Sequence, residues 1–269
     1  MTGEATPPRY EVFALRYATV ERRPQENFIS PDPHEGPLSM DYFVWLIRGA
    51  GRDIVVDTGF SAEAAQQRGR TLLQPPGEAL AALGVDGAAV EDVVITHLHY
   101  DHAGNLQDFP QARFHLQDAE IAYATGRLMC HDMLRHAYDV EDVVAMVRRV
   151  YAGRVVFHDG DAVIAPGVTL HRIGGHTMGL QVVRVHTARG WVVLASDATH
   201  FYANIRGRDP FPIVVDVAAM LEGYRTLEAL ADSADHIVPG HDPEVMRLYP
   251  AVPDVAAEAV ALHLPPAAP

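Results

Sequence analysis

The sequence lacks several features that would place it in a common class of protein. No stretch of its 269 residues approaches the about eighteen consecutive apolar residues of a membrane-spanning helix. Its first ten residues, MTGEATPPRY, lack the basic and then apolar pattern of a signal peptide. A single cysteine, Cys130, excludes an internal disulfide and fits a reducing compartment. These absences predict a cytoplasmic protein without a membrane partner.

Basic residues are also scarce. The chain has 21 basic and 35 acidic residues, a formal net charge of −14. Lysine is absent altogether, which by itself decides nothing about function. Because phosphate backbones are held by clustered basic side chains, we expect no nucleic-acid partner. Histidine, by contrast, occurs 15 times, and the placement of these histidines is the main functional signal.

The apolar pattern predicts alternating strands and helices. Strands are predicted at 10–20 and in DYFVWLIRG, RDIVVDTGF, VEDVVITH, RFHLQ, RVVFHDGD, VTLHRIGG, LQVVRVHT, GWVVLASD and DHIVPGHD. Helices are predicted in PGEALAALGV, over 216–232 and, with polar interruptions, over 118–150. Residues 21–40 form a loop too long for a plain connector. The Ala- and Pro-rich tail at 253–269 is predicted to be loosely attached.

This order of elements predicts an α/β fold. Strands followed by helices, twice over, suggest two sheets packed face to face with helices outside them. The chain has no strong internal repeat and no linker that would divide it, so we expect a single domain over 1–269. The helical segment 118–150 is expected to be an insertion that lies over the active site.

Residues of the metal-binding type follow the predicted strands. THLHYDHAGN places His97, His99, Asp101 and His102 after one strand, and His176, Asp197 and His241 each follow another. Because side chains alternate along an extended backbone, His97 and His99 can face one site, and the two residues after the turn can face a neighbouring one. Imidazole and carboxylate ligands suit zinc and similar divalent ions. Seven ligands exceed one site, so we expect two ions that share Asp197.

This constellation resembles the metallo-β-lactamase superfamily, whose hallmark is HxHxDH followed by a distant His, Asp and His. VVDTG before the motif and GGHTMG after it add to the resemblance, which covers most of the chain. It implies a four-layer αββα sandwich and two divalent ions, zinc first, with manganese, iron or cobalt as alternatives. By this resemblance His97, His99 and His176 hold one ion, Asp101, His102 and His241 hold the other, and Asp197 bridges them.

Within the superfamily the chain looks most like the N-acyl homoserine lactonases, because THLHYDHAGN, ASDAT and the helical insertion match that branch. Those enzymes usually carry a tyrosine three residues after the bridging aspartate, where this chain has His200, with Tyr202 two residues later. The resemblance implies a hydrolase that opens a lactone, first an N-acyl homoserine lactone (quorum quenching), with another lactone, an ester or a thioester as the alternative. It also implies that Asp101 relays a proton and that His200 or Tyr202 stabilises the oxyanion. The expected partner is a small lactone or ester, and the oligomeric state stays open.

Supporting residues are predicted around this centre. Asp57 and Thr96 are expected to hold the ligand loops. An apolar lining for an acyl chain is proposed from Phe28, Met40, Met129, Met133 and Tyr138. The 21–40 loop and the 118–150 insertion would wall the pocket.

Other reactive side chains are predicted to have no function. Cys130 is expected to be a buried thiol, and His131 and His136 are expected to be surface residues of the insertion. The remaining candidates are histidines expected on strands: His115, His158, His171, His186 and His236. A glyoxalase II-type thioesterase, a β-lactamase and a non-catalytic metal-binding protein are the competing functions. All seven ligand-type residues are present, which favours an enzyme.

Overall fold

A computed structural model describes residues 6–30, 36 and 38–267. The predicted loop at 21–40 is described only in part, since residues 31–35 and 37 lie outside these ranges. The strands are β1 (Glu11–Arg22), β2 (Leu38–Gly49), β3 (Arg52–Val56), β4 (Thr71–Leu72), β5 (Asp92–Val94), β6 (Arg113–Gln117), β7 (Val155–His158), β8 (Ala162–Ala165), β9 (Val168–Arg172), β10 (Gln181–Thr187), β11 (Gly190–Ser196), β12 (Ile237–Pro239) and β13 (Ala259–Ala261). The α-helices are α1 (Ala62–Arg68), α2 (Pro76–Ala82), α3 (Tyr100–Ala103), α4 (Asp118–Ala124), α5 (Asp132–Arg135), α6 (Val140–Tyr151), α7 (Tyr202–Gly207), α8 (Val217–Leu230) and α9 (Glu244–Leu248).

Two mixed sheets form the centre of the molecule. The first has the strand order β13-β1-β2-β3-β5-β6-β7, with β4 paired to β1. Its strands β3, β5, β6 and β7 run parallel, which requires crossover connections between them. The second sheet has the order β12-β11-β10-β9-β8 and is antiparallel except for the pair β11 and β12.

The alternation of side chains along β1 separates two cores. Val12 and Ala14 point toward the second sheet and join one buried cluster, while Phe13 and Leu15 point to the opposite face and join another. On the second sheet, Val193 packs outward against α8 in a third cluster. Each fully buried aliphatic side chain contributes about 1.5–3 kcal/mol relative to an exposed one. The layers therefore run helix, sheet, sheet, helix, and the predicted αββα sandwich is confirmed.

The segment 118–150 is the crossover between the parallel strands β6 and β7. Its helix α6 buries Val143 and Met146 in the outer core of the first sheet. Only the stretch just before α6 approaches the pocket, through His136 and Ala137. The segment therefore contributes that short stretch to the pocket lining, whereas α6 packs elsewhere because its apolar face covers the sheet.

The prediction of a loosely attached tail is wrong for residues 259–261. These residues form β13 and pair antiparallel with β1, with Phe13 opposite Ala261 and Leu15 opposite Ala259. Val260 and Leu262 are buried between the sheets. Composition alone misled the prediction, because alanine and valine at alternating positions suffice for a short strand once an edge is available.

Candidate active site

The loops that follow β3, β5, β9, β11 and β12 meet at one edge of the sandwich. All seven predicted ligands lie on these loops or at the start of α3, and all are buried. We call this set the metal cradle: His97, His99, Asp101, His102, His176, Asp197 and His241. The sequence separates its members by up to 144 positions, yet their ligand atoms fall into groups within 4.8 Å of one another.

The first group of ligand atoms comes mainly from imidazoles. Nδ1 of His99 lies 3.0 Å from Nε2 of His97 and 2.9 Å from Nε2 of His176. Oδ2 of Asp197 lies 3.1 Å from Nε2 of His176. Three nitrogens and one carboxylate oxygen therefore converge on one point, which is the donor set of a zinc-type site.

The second group faces the other oxygen of the same carboxylate. Oδ1 of Asp197 lies 3.3 Å from Nε2 of His102 and 3.0 Å from Nε2 of His241. Oδ2 of Asp101 lies 3.7 Å from His102 and 3.8 Å from His241. Asp197 thus directs one oxygen to each group, as a bridging ligand would.

The atoms of the cradle fit divalent cations. Nε2 of His102 is buried and has no hydrogen-bond partner, although two carboxylates lie close to it. In the first group, ring nitrogens about 3 Å apart face one another, an arrangement that a cation between them would stabilise. These donor types suit zinc and other first-row divalent ions.

Burial sets the protonation of the cradle. Burial, reinforced by the neighbouring imidazoles, holds the pKa values of His97 and His99 well below the usual range, so both rings are neutral, as metal binding requires. Burial alone would raise the pKa of Asp197, but the surrounding histidines outweigh it and hold this pKa well below its usual value. The bridging position therefore carries a carboxylate anion.

Asp57 and Thr96 lie beneath the cradle and contact its residues. Asp57 accepts hydrogen bonds from Nδ1 of His102 (2.7 Å) and from the backbone N–H (2.7 Å) and hydroxyl (2.8 Å) of Thr96. The Thr96 hydroxyl also lies 2.9 Å from that of Ser196. Asp57 and Ser196 both adopt positive φ, at 61° and 45°. Such strained backbone persists where surrounding contacts determine it, and here it occurs directly after β3 and at the last residue of β11.

Glu120 is a supporting residue that the sequence analysis missed. Its fully buried carboxylate accepts four hydrogen bonds, from the Leu98 N–H, the Tyr138 hydroxyl, the Thr177 hydroxyl and the Gly179 N–H. It therefore ties the loop of His97 to the loop of His176. A Cβ at Gly179 would lie 2.2 Å from the Glu120 backbone nitrogen, so only glycine fits there.

One signal could have revealed Glu120. It shares a helix face with Tyr123 and Ala124, at spacings of three and four residues, and that face is the buried side of α4. An acid on the apolar side of a helix indicates a buried carboxylate with specific partners, whereas an acid in the first turn is usually read as a surface charge.

His200 lies in the site. Its Nε2 is 3.0 Å from Oδ2 of Asp197, and its ring stacks face to face on Phe211, with centroids 3.7 Å apart. Asp197, His200 and His241 also form a third group of potential ligand atoms within 4.8 Å. Burial lowers the pKa of His200 to about 3, even with the Asp197 charge opposing this shift. The ring is therefore neutral and can donate one hydrogen bond.

The predicted catalytic role of Tyr202 is wrong. Its ring is buried in the core between the two sheets, beside Tyr249, and does not line the pocket. Tyr202 is the first residue of α7, and its N–H donates to the carboxylate of Asp242 (2.9 Å). This contact fixes the start of the helix and directs the side chain into the core, away from Asp197.

An open pocket of about 530 Å³ lies above the cradle. Its walls include Met40 and Tyr42 from β2, Tyr100, His200 and Phe211. Three arginines also line it, which the sequence analysis did not foresee: Arg22, Arg68 and Arg70.

Most of the predicted apolar lining is wrong. Met40 does line the pocket. Tyr138 lies edge-on to His99, with centroids 4.6 Å apart, but its hydroxyl is directed to Glu120. Phe28 lies 6.2 Å from the ring of Phe201, and Met129 packs against the outer core. Met133 is 79% exposed and reaches only a side cavity of about 40 Å³. Hydrophobic character alone could not say which residues of the insertion face inward.

Two further expectations need correction. Cys130 is exposed, because it ends a one-turn helix on the outside of the crossover. His236 lies in a 3-10 turn before β12 and not on a strand. His136 is exposed, as predicted, but stands at the edge of the pocket.

Within the described ranges, no helix is both long enough and apolar enough to cross a bilayer.

Comparison with known proteins adds to this geometry. The sequence profile of the Metallo-beta-lactamase superfamily matches residues 41–241. A probable metallo-hydrolase of Mycobacterium tuberculosis is 26% identical over 230 residues, which cover 75% of this chain and 71% of that protein. The N-acyl homoserine lactonase AiiB of Agrobacterium fabrum is 29% identical over 198 residues, 67% of this chain and 70% of the lactonase. The crystal structure of a quorum-quenching N-acyl homoserine lactone hydrolase superposes with a TM-score of 0.75 at 21% identity, covering 94% of this chain and 100% of that one. At that identity the superposition shows a shared fold alone.

Proposed function

The chain belongs to the metallo-beta-lactamase superfamily and is a metal-dependent hydrolase, and we propose that the bond it cleaves is the ester of a lactone ring. The observation that carries this proposal is the metal cradle, in which two groups of ligand atoms share the carboxylate of Asp197. The similarity to a protein named as an N-acyl homoserine lactonase makes lactones the first ester class to consider.

Each group of the cradle would hold one divalent ion, and zinc is the ion that the donor set suits. His97, His99 and His176 would hold the first, Asp101, His102 and His241 the second, and Asp197 both. When bound, the ions supply Lewis acidity toward the carbonyl oxygen and lower the pKa of water.

The remaining steps fall to side chains. Asp101 lines the pocket, so its carboxylate can accept a proton from the attacking water and return it to the leaving alkoxide. His200 also lines the pocket and stands where the related lactonases usually have tyrosine. With Tyr202 in the core, His200 is the remaining candidate to donate to the carbonyl oxygen as negative charge develops there. Its one N–H, at Nε2, would have to leave Oδ2 of Asp197 to do so.

A substrate panel with metal-loaded protein tests the proposal. It contains short- and long-chain N-acyl homoserine lactones, simple γ- and δ-lactones, a thioester and a β-lactam. Ring opening of lactones in preference to the other classes, lost with a chelator, is the expected result. If only the thioester or the β-lactam is hydrolysed, the protein remains a metal-dependent hydrolase, but the proposal that it cleaves a lactone is wrong.

A pair of variants tests the role of His200. We expect His200→Ala to lower kcat about 10²-fold or more, as the loss of one oxyanion donor does. Tyr202→Phe is the matched control, because that hydroxyl does not reach the pocket. Equal values of kcat in the two variants would show that His200 does not act as the oxyanion donor.

A further inference from the structure

Three arginines form one side of the pocket above the cradle: Arg22 at the end of β1, and Arg68 and Arg70 at and just after the end of α1. We call them the arginine wall. The chain has 21 basic residues and a net charge of −14. Three of its basic residues line this one pocket, at the side, while the carboxylates of Asp101 and Asp197 belong to the cradle below.

Contacts with the protein hold each guanidinium in place without neutralising it. Arg70 donates from Nε to the Tyr100 hydroxyl (3.1 Å) and from Nη1 to the Arg68 carbonyl (2.8 Å). Arg68 donates to the carbonyls of His136 (2.8 Å) and Tyr138 (3.0 Å). These acceptors are neutral oxygens, and Nη2 of Arg70 is left without a hydrogen bond among the described residues.

Arg22 is held in the same manner. Its Nη2 donates to the Glu26 carbonyl (2.6 Å), its guanidinium lies 5.1 Å from the centroid of Phe211, and its Nε is buried without a hydrogen bond. Phe211 in turn stacks on His200. Arg22 is therefore connected by stacked rings to the residue beside the bridging carboxylate.

The arginines of the wall differ from others in the chain. Arg16 pairs with Asp41 and Arg48 with Asp53, but no wall arginine forms an ion pair with a carboxylate in the described ranges. Burial lowers the pKa of Arg22, and the nearby positive charge of Arg70 adds to that shift. Glu21 and Glu26 also line the pocket, at its exposed rim. Arg22 and Arg70 line the same pocket without a carboxylate partner, and Nη2 of Arg70 is unused as a donor. Guanidiniums in this state are what a carboxylate would stabilise.

We propose that the substrate carries a carboxylate, which binds to Arg70 and Arg22 while the scissile ester lies over the metal cradle. This inference rests on the proposed function, since it names the class of lactone. An acyl chain of hydrocarbon would leave these guanidiniums unpaired, whereas a carboxylate would pair with them. The arginine wall takes the place of the apolar lining expected from the sequence.

Kinetics on a matched pair of lactones tests the proposal. The probes are γ-butyrolactone bearing a ring carboxylate and its carboxamide, a neutral analogue of nearly the same shape. We expect zinc-loaded protein to open the acid with a kcat/KM about ten-fold higher or more, mainly through KM. Arg70→Gln should abolish this preference, Arg22→Gln should reduce it, and Arg225→Gln on an exposed face of α8 should retain it.

Binding of the ring-opened products separates this proposal from the lactonase proposal. Isothermal titration calorimetry would compare the dicarboxylate from the acid with the monocarboxylate from the amide. If the dicarboxylate binds about ten-fold more tightly and Arg70→Gln loses this difference, the result supports carboxylate binding by the arginine wall. If no lactone is opened in the same protein, only the lactonase proposal fails. Equal affinity and equal turnover for the two probes would overturn the proposal that the arginine wall binds a carboxylate. The lactonase proposal would not be affected. Arg70→Lys, which keeps the charge but not the bidentate fork, should bind the dicarboxylate with an affinity between those of the natural sequence and Arg70→Gln.

Discussion

The floor and the side of the active-site pocket are built in different ways. In the metal cradle, two histidines are held through Nδ1, the ring nitrogen that faces away from the other ligand atoms. Nδ1 of His102 donates to Asp57 at 2.7 Å, and Nδ1 of His241 donates to the Asp41 carbonyl at 2.8 Å. In the arginine wall, long side chains lie half exposed and are held by neutral oxygens. The comparison teaches that the ligand-type side chains of the floor are fixed by buried partners, whereas the side chains that we propose to contact the substrate are held only by contacts at the half-exposed side of the pocket.

The largest expected effect comes from breaking the floor at its shared ligand. Asp197→Asn keeps the shape of the side chain but removes the charge that faces both groups of ligand atoms. We expect kcat to fall about 10³-fold or more and both ions to bind more weakly. Activity and metal content after dialysis would measure this. Asp161→Asn, which changes an exposed carboxylate beside His171, is the control. Full metal content with full activity would contradict the bridging role.

The next effect concerns the connection between the two ligand loops. Glu120→Gln places an amide NH₂ among four hydrogen-bond donors in a fully buried position. We expect the free energy of unfolding to fall by about 2–3 kcal/mol, since a buried donor loses its acceptor. Urea denaturation would measure the change. Glu141→Gln, an exposed acid at the start of α6, should shift it by less than about 0.5 kcal/mol. Equal changes in the two variants would show that Glu120 does not join the loops.

A smaller effect distinguishes two methionines that the sequence placed together. Met40 is buried at 4% exposure and lines the pocket, while Met133 is 79% exposed. We expect Met40→Ala to lower the free energy of unfolding by about 2 kcal/mol or more and Met133→Ala to change it by less than about 0.5 kcal/mol. Thermal and urea unfolding of both variants would check this difference, and similar losses would mean that Met133 packs against the protein.

The smallest effect is electrostatic and lies behind the arginine wall. Burial and the charge of Asp139 raise the pKa of Asp142 to about 7, with Arg68 opposing the shift. The unfolded carboxyl ionises near 3.8, so between about pH 4 and 7 the folded protein binds more protons, and its stability falls as the pH rises.

Asp142→Asn removes this penalty. The free energy of unfolding of the variant, relative to that of the natural sequence, should therefore increase by on the order of 1 kcal/mol between about pH 4 and about pH 7, after solvent screening is allowed for. Above about pH 7 the difference should stay constant. Unfolding free energies across this pH range would show it. A difference that does not change with pH would contradict a raised pKa at this position.

The same comparison explains what could be predicted from the sequence. The residues of the cradle follow strand ends in a fixed order, and parallel strands that end at one edge bring such residues together, so His97, His176 and Asp197 were recognisable. No comparable sequence pattern identifies the residues of the arginine wall. Whether Met133 or Arg70 faces the pocket depends on how the crossover and α1 pack, and a long side chain of either kind is compatible with the surface.

Tyr202 and Glu120 show the same limit from opposite sides. Tyr202 is near His200 in the sequence, but helix α7 begins between the two side chains and directs them apart. Glu120 is far in sequence from Thr177, but α4 and the loop after β9 meet through it. Spacing along the chain predicted contacts where strands were regular and failed where a helix began.

The pairing of β13 with β1 has a consequence for biosynthesis. Phe13 pairs with Ala261, which is synthesised 248 residues later. Until then, part of the edge of β1 offers unpaired N–H and C=O groups that another chain could pair with. The first sheet can therefore close only when synthesis has reached its last strand, so this part of the fold forms late on the ribosome or after release. A slow ribosome would prolong that exposure, and high expression would raise the concentration of exposed chains, so either would increase aggregation of nascent chains.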